Sequence, residues 1–122
     1  MGDPERRQAA QRWGRRAEWI AAWWLRLKGY RVLARDFRVP PGEIDLVARR
    51  GRVLALVEVK ARASLQAAGD SIEARQRQRI AHAAEIFLRR HPHLAKLDRR
   101  FDAILIVPGH WPCHIEDAWR LD

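Results

Sequence analysis

The segment Val53–Ala61, with the sequence VLALVEVKA, constrains the fold more than any other part of the chain. Its apolar residues are nearly continuous, which is typical of a strand that is covered on both faces and lies inside a sheet. Glu58 and Lys60 interrupt the apolar run two residues apart, so both side chains point to the same face of the strand. A buried strand with two charges on one face predicts a polar site embedded in the sheet.

The segments around this strand predict a sheet with helices on its faces. Apolar residues recur at helical spacing over residues 12–28, and Asp70-Ser71-Ile72-Glu73 is typical of a capping box that opens a second helix ending near Arg90. Apolar runs bounded by glycine and proline predict the strands, which cover residues 30–39, 43–48, 53–61, 101–107 and 113–115. The order α-β-β-β-α-β-β predicts an α/β protein with a central mixed β-sheet of four to five strands flanked by helices.

Length and apolar content bound the class of protein. A chain of 122 residues with 48% apolar side chains is expected to form a single domain over residues 1–122, with the polar residues 1–10 frayed at its start. The longest uninterrupted apolar run, residues 19–25, is far shorter than the ~20 residues that a membrane span needs. The chain opens with no apolar signal segment and Cys113 is its only cysteine, so we expect a cytoplasmic protein without a membrane partner.

The net charge favours a polyanionic partner. Lysine and arginine number 24 against 15 aspartate and glutamate residues, which gives a net charge of +9, and most of the cations are arginines. Arginine presents a planar pair of donors that matches phosphate, so the composition favours nucleic acid, with DNA as the expected partner. A general preference for arginine, combined with a need for solubility, is the alternative explanation.

Two further carboxylates, Glu43 and Asp45, share one face of the strand before the buried one. A hairpin folded about residues 50–51 places Glu43 opposite Glu58. The same register places Asp45 opposite Leu56. If the turn has an even number of residues, all of these charges lie on one face of the sheet, and an odd number would scatter them.

Closely spaced carboxylates in an apolar sheet repel each other and are costly to desolvate, and a hard divalent cation resolves both problems. Asp45, Glu58 and the carbonyl oxygen of Val59 are therefore the expected ligands of Mg²⁺ or, equally, of Mn²⁺. Lys60 is expected to orient or deprotonate the attacking water, or to neutralise charge that develops on a scissile phosphate. An ordinary surface hairpin with Glu–Lys and Glu–Arg pairs is the alternative.

Two helical residues are candidates to complete this catalytic site. Glu18 lies at the border of the apolar face of the first helix, from where its carboxylate can reach over the sheet; the alternative is an exposed pair with Arg15. Gln76 lies on the core face of the second helix, where a polar side chain needs a hydrogen-bond partner. We expect it to point at the metal site or at a phosphate, and the alternative is a glutamine that reaches solvent at the helix end.

Tryptophans and arginines on the helices are candidate nucleic-acid contacts. Trp19 and Trp23 lie on the basic side of the first helix, where aromatic rings can stack on unpaired bases. A helix packed on two sides, or a dimer interface, explains these tryptophans as well. The candidate phosphate contacts, for which a solvated face is the alternative, are Arg12, Arg15 and Arg16 on the first helix and Arg75 and Arg79 on the second.

The block GEIDLVARRGRVLALVEVKAR resembles the signature of the YraN-like bacterial family, which is usually described as uncharacterised, and the likeness extends over residues 12–119. That family is distantly similar to archaeal Holliday junction resolvases, which have the PD-(D/E)xK nuclease core. The resemblance implies a restriction-endonuclease-like core, with Asp45, Glu58 and Lys60 on the nuclease motif and Glu18 as the acidic residue of the first helix. The family often has lysine in the second helix where this chain has Gln76.

Residues and resemblance together predict a metal-dependent endonuclease-like protein that hydrolyses DNA phosphodiester bonds, with branched or flapped DNA as candidate substrates. Cutting at two symmetric positions would favour a homodimer. The alternative is a catalytically weak or inactive nucleic-acid-binding module with a nuclease fold.

Overall fold

The computed structural model describes residues 3–64 and 74–121, which form one mixed β-sheet and two long helices. In chain order the elements are α1 (Pro4–Leu27), β1 (Arg31–Val39), β2 (Gly42–Arg50), β3 (Val53–Ala61), α2 (Ala74–Arg90), a 3₁₀ turn (Pro92–Leu94), β4 (Asp98–Ile106) and β5 (Cys113–Trp119). This order confirms the predicted α/β fold, although β4 and β5 are longer than predicted. The predicted capping box at residues 70–73 lies outside the described residues.

The five strands lie in the order β1-β2-β3-β4-β5, so β3 is the central strand, as its apolar sequence predicts. Neighbouring strands are antiparallel except for β3 and β4, which run parallel and are joined through the segment that contains α2. A parallel pair needs such a crossover because the chain must return to the end of the sheet at which β3 begins before it can start β4.

Each helix covers one face of the sheet. Along β3, Leu54 and Leu56 belong to the core cluster that includes Ile80 of α2, whereas Ala55 and Val57 belong to the cluster on the α1 side. All four strand residues are at most 1% exposed. This burial on both faces is the physical reason for the continuous apolar run, because each buried aliphatic side chain contributes roughly 1.5–3 kcal/mol to folding.

Helix α1 begins at Pro4, two turns before the start at residue 12 that the apolar spacing predicts. Asp3 caps the helix by accepting a hydrogen bond from the backbone N–H of Glu5 at 2.9 Å, and Pro4 occupies the first helical position. The first turns have no core contact that would produce an apolar pattern, since every residue from 3 to 12 is exposed. The helix start is therefore set by its capping residues.

The turn of the β2–β3 hairpin lies one residue later in the chain than predicted, so the register of the two strands also differs. Arg50 pairs with Val53 across a two-residue turn that begins at Gly51, whose φ of +60° suits the first central position of a type II′ turn. The even turn length agrees with the expectation, but the pairing of Glu58 with Glu43 is wrong. The observed register continues to Leu46 opposite Val57, and its next step brings Asp45 to the level of Glu58.

A second polar cluster ties β4 and β5 to the end of α1. Asp102 is fully buried, yet it receives two hydrogen bonds from Arg100 at 2.8 Å each and one from the backbone N–H of Asp117 at 3.0 Å. His114 Nε2 lies 2.8 Å from Asp102, and His114 Nδ1 lies 2.6 Å from the ammonium of Lys28. Because an ammonium only donates, Nδ1 is the acceptor and Nε2 donates to Asp102. Burial alone would raise the pKa of Asp102, but these bonds lower it.

Candidate active site

The candidate site lies where β2 separates from β3. Their backbone pairing ends at Leu46 and Val57, and beyond this point the carboxylate of Asp45 accepts a hydrogen bond from the backbone N–H of Val59 at 2.8 Å. Ile44 packs in the α2-side cluster and Leu46 in the α1-side cluster, although residues two apart on a regular strand share a face. Strand β2 therefore departs from regular alternation at Asp45, whose side chain satisfies the N–H that a strand partner would otherwise take.

Three further side chains of the predicted site surround this point. The carboxyl group of Glu58 donates a hydrogen bond to that of Asp45, and its Oε1 accepts a hydrogen bond from the amide Nε2 of Gln76 at 2.5 Å. Lys60 follows two residues later on β3 and is only 5% exposed. The structure thus brings Gln76 of α2 to the strand that carries Glu58 and Lys60.

The two adjacent carboxyl groups have strongly perturbed acidities. Burial and then the charges of Asp45 and Glu43 raise the pKa of Glu58 to about 9 from its ordinary 4.5. Burial also raises the pKa of Asp45, against the opposing effect of the hydrogen bond from Val59. A hydrogen bond between two carboxyl groups needs a proton, so without a cation the pair holds one proton between Asp45 and Glu58.

Glu18 approaches the same site from α1. Burial, and then the charges of Asp45 and Asp36, together raise its pKa from the ordinary 4.5 to about 7. Its neighbours on the helix include Ala17, Ala21 and Ala22, which are fully buried against the sheet. Small side chains at these positions let the helix backbone lie close to the strands, which brings the Glu18 carboxylate within electrostatic range of Asp45.

Gly42 is a site-building residue that sequence reasoning treats only as part of a turn. A Cβ atom at this position would lie 2.4 Å from the backbone carbonyl oxygen of Arg79 and 3.0 Å from the backbone nitrogen of Ala83. Arg79 also donates a hydrogen bond from Nε to the carbonyl oxygen of Pro41 at 2.7 Å. The absence of a side chain at Gly42 therefore sets how closely α2 approaches β2, and with it the position of Gln76.

Two charged residues beside the site carry no signal in the sequence. Arg38 on β1 bonds Asp36 at 2.8 Å and lies 4.0 Å from Glu43 of the neighbouring strand. Asp36 adopts a positive φ of 52°. Both residues act on the pKa of Glu18, Asp36 by raising it and Arg38 by lowering it. Their exposure and ordinary strand context give no pattern from which a role beside the site could be predicted.

The candidate nucleic-acid contacts lie on the outer faces of the helices. Trp19 and Trp23 are 56% and 48% exposed, and their rings meet edge to face with centroids 6.2 Å apart. The arginines of this group are all exposed, and Arg79 in addition holds the carbonyl oxygen of Pro41; the group comprises Arg12, Arg15, Arg16, Arg75 and Arg79. Their contact with nucleic acid stays a prediction.

The donor set fits a hard divalent cation with few protein ligands. Within residues 3–64 and 74–121, no group of three or more histidine, cysteine, aspartate or glutamate side chains is arranged to hold a metal ion. Asp45 and Glu58 offer two adjacent carboxylates, and the backbone of Val59 lies against Asp45. Mg²⁺ accepts such a partial set because it retains several waters, and its charge would remove the repulsion between the carboxylates.

Comparison with solved structures defines the fold class. The chain is similar to Hjc of Archaeoglobus fulgidus, a Holliday junction resolvase from an archaeal hyperthermophile, with a TM-score of 0.55 and 20% identity. The match covers 83% of this chain and 73% of Hjc. The fold is thus the nuclease fold of that resolvase, as the sequence resemblance implies.

The chain belongs to the uncharacterised protein family UPF0102, whose family model matches residues 17–106. A UPF0102 protein of Parvibaculum lavamentivorans is 56% identical over 119 residues, which cover 98% of this chain and 90% of the relative. UPF0102 protein amb4503 of Paramagnetospirillum magneticum is 54% identical over 119 residues, covering 94% and 92%. The predicted kinship with an uncharacterised bacterial family is confirmed.

In the described part of the chain, neither helix has the length and apolar character of a membrane span.

Proposed function

We propose that this protein is a metal-dependent endonuclease that hydrolyses phosphodiester bonds of DNA, with Mg²⁺ or Mn²⁺ as its cofactor. The observation that carries the proposal is the hydrogen-bonded carboxyl pair of Asp45 and Glu58, which lies beside the buried Lys60 on the central strand. A protein has little structural reason to bury two carboxyl groups against each other, because both desolvation and mutual repulsion oppose it.

Each side chain of the candidate site has a separate role in this proposal. Asp45 and Glu58, with the carbonyl oxygen of Val59, would hold the cation, which when bound would polarise the scissile phosphate and make water a better nucleophile. Gln76 holds the Glu58 carboxyl in place through its 2.5 Å hydrogen bond. Lys60 orients the attacking water or stabilises charge on the phosphate. Glu18, with a pKa of about 7, can accept or release a proton near neutral pH.

A cleavage assay tests this proposal. Labelled duplex, single strand, flap and four-way junction would be incubated with Mg²⁺, Mn²⁺ or EDTA. Asp45→Ala and Lys60→Ala are expected to reduce cutting by about 10²-fold or more, because each removes a group that acts on the reacting phosphate or water. Asp98→Ala and Lys96→Ala remove exposed residues of the same types and should leave cutting unchanged. Cutting that persists in EDTA, or in Asp45→Ala, would contradict the proposal.

A nucleic-acid-binding module with little or no catalysis is the second candidate, and it is favoured by Gln76. The amide of Gln76 is hydrogen-bonded to Glu58. At position 76 the family that this chain resembles often has a lysine, whose positive charge could face the phosphate. This alternative predicts binding that neither EDTA nor Asp45→Ala changes, without cutting of any substrate. In that case Gln76→Lys would be the first variant to test for restored activity.

A further inference from the structure

Helix α1 carries an exposed strip in which two tryptophans lie between two arginines, and we call it the α1 strip: Arg15, Trp19, Trp23 and Arg26. These residues are spaced by four, four and three positions, so they lie along one side of the helix. Trp19 is 56% exposed and Trp23 is 48% exposed. Two adjacent exposed tryptophans form an apolar surface of the kind that marks an interaction site.

The rings of the α1 strip are held by their neighbours. The Trp19 and Trp23 rings meet edge to face at 6.2 Å, and the guanidinium carbon of Arg26 lies 5.1 Å from the centroid of the Trp23 ring. Trp23 thus contacts both a cation and an aromatic ring, which reduces the freedom that binding would otherwise have to remove.

The α1 strip borders a pocket that also contains Glu18. An open pocket of about 430 Å³ is lined by Arg15, Glu18, Trp19, Arg35 and Asp36. Glu18, which the proposed function places at the acidic site, is one of the residues that line this pocket. A ligand that lies along the strip would therefore enter the site beside Glu18.

We propose that the α1 strip binds the unpaired nucleotides of a single strand and guides that strand to the acidic site. The inference rests on the proposed function, since it assumes a nucleic-acid substrate. Bases stack on Trp19 and Trp23, because every base has a flat face and stacking tolerates any sequence. Arg15, Arg26 and Arg35 provide the cations that phosphates need on either side of the rings.

The charge of the strip selects this occupant over a second copy of the chain. A two-fold contact through this face would set the arginines of one copy against those of the other, in a protein whose net charge is +9. A regular duplex fits less well, because its bases are stacked inside and cannot reach the tryptophan rings. At a rise of about 1.5 Å per residue, the strip from Arg15 to Arg26 is about 16 Å long, which suits about four stacked nucleotides.

Binding measurements in EDTA test the strip without cleavage. Fluorescence anisotropy would compare a labelled dT₁₂ strand with a duplex of the same length, for wild type, Trp19→Ala and Trp23→Ala. Each variant is expected to weaken binding of the single strand by about tenfold and binding of the duplex by less than twofold. Trp19→Phe retains a ring and should recover most of the affinity. Unchanged circular dichroism would verify the fold of each variant.

Trp111→Ala is the matched control, because it removes a tryptophan that is 84% exposed and contacts Trp24 at 5.9 Å, outside the strip. It should leave binding of the single strand unchanged. Equal losses for Trp111→Ala and Trp19→Ala, or equal losses on single strand and duplex, would overturn the inference. A wild-type dimer in sedimentation that becomes monomeric in Trp19→Ala and Trp23→Ala would also overturn it, by assigning the face to a second copy.

The cleavage assay separates failure of this inference from failure of the proposed function. Asp45→Ala should bind the single strand as wild type does while it cuts nothing. If wild type binds through the tryptophans but never cuts, the strip stands and the nuclease proposal fails. If cutting depends on Asp45 but binding ignores Trp19 and Trp23, the nuclease proposal stands and the strip fails.

Discussion

At the scale of single residues, the adjacent carboxyl groups of Asp45 and Glu58 lower the stability of the folded chain. The pKa of Glu58 is raised to about 9, first because the carboxyl group is largely buried and second because ionisation would place another negative charge beside Asp45. The hydrogen bond from Gln76 works in the opposite direction and lowers this pKa. A cation would replace the proton, so the chain without metal is expected to be less stable than the chain with metal.

Glu58→Gln should stabilise the metal-free protein at alkaline pH. Between about pH 4.5 and about 9 the folded state holds a proton on Glu58 that the unfolded state releases, so the free energy of unfolding falls as pH rises through this window. A glutamine does not ionise, and its amide can still donate to Asp45 and accept from Gln76. We expect a gain on the order of 1–3 kcal/mol at pH 8 and little change at pH 5.

Urea unfolding in EDTA across this pH range would measure the effect. Glu85→Gln is the control, because it changes an exposed glutamate that pairs with Arg99 on the surface. Its effect should stay within about 1 kcal/mol and should not grow with pH. A wild-type stability that stays level or rises from pH 5 to pH 8 relative to Glu58→Gln would show that folding does not raise the pKa of Glu58.

At the scale of elements, the close contact between β2 and α2 decides whether Gln76 reaches Glu58. Gly42 permits that contact because the backbone of Arg79 occupies the space that a Cβ atom would take. The helix is held there by the bond from Arg79 to Pro41 and by the buried stripe that contains Ile80 and Ala83. The position of one glycine on a strand is therefore coupled to a hydrogen bond at the start of the facing helix.

Gly42→Ala should destabilise the protein and weaken the Gln76–Glu58 contact. The new methyl group would meet backbone atoms, which cannot rotate away as a side chain can, so we expect a loss of about 1–3 kcal/mol. Gly14→Ala is a matched control, since a Cβ atom there has no neighbour within 4 Å and alanine favours the helix by about 1 kcal/mol. Equal stability of Gly42→Ala and wild type in urea unfolding would refute the tight approach of α2.

The sequence predicts the elements better than their mutual arrangement. The apolar run of β3 and the alternation of Glu58 and Lys60 are local properties, so the central strand and its charged face are predictable. The register is not, because Arg50-Gly51 and Gly51-Arg52 are both acceptable turn centres, and only the pairing of Arg50 with Val53 in the folded sheet selects between them. The approach of α2 to Gly42 depends on residues far apart in the chain, for which a single sequence contains no signal.

At the scale of the whole molecule, charge is distributed unevenly around the site. The pair of Asp45 and Glu58 lies between two helices whose outer faces carry exposed arginines, and the chain as a whole has a net charge of +9. Such an arrangement favours a polyanion at the surface, and under the proposed function it favours a cation at the two carboxyl groups. Binding of nucleic acid should therefore depend strongly on salt and only weakly on sequence.

Arg12→Ala and Arg16→Ala should each reduce the salt dependence of DNA binding. Neutralising a phosphate releases condensed counterions, so each lost contact lowers the slope of log affinity against log salt by about one. Anisotropy titrations of a duplex between about 50 and about 200 mM KCl would measure the slope. Arg89→Ala removes an exposed arginine near the far end of α2 and is the control. Unchanged slopes in all three variants would argue against α1 as a phosphate-binding face.

The parallel pairing of β3 with β4 also has a consequence for the order in which the chain folds. Val53 pairs with Asp98, so this ladder joins residues that are far apart in the chain, whereas β1, β2 and β3 pair through short turns. Local ladders form faster than distant ones, because less loop entropy is lost before contacts are gained. In pulsed hydrogen exchange during refolding, we expect amides of β2 and β3 to gain protection before those of β4 and β5, and the reverse order would contradict this.

A partly folded chain would then already bring Asp45 and Glu58 together, so divalent cations are expected to accelerate the early phase of refolding.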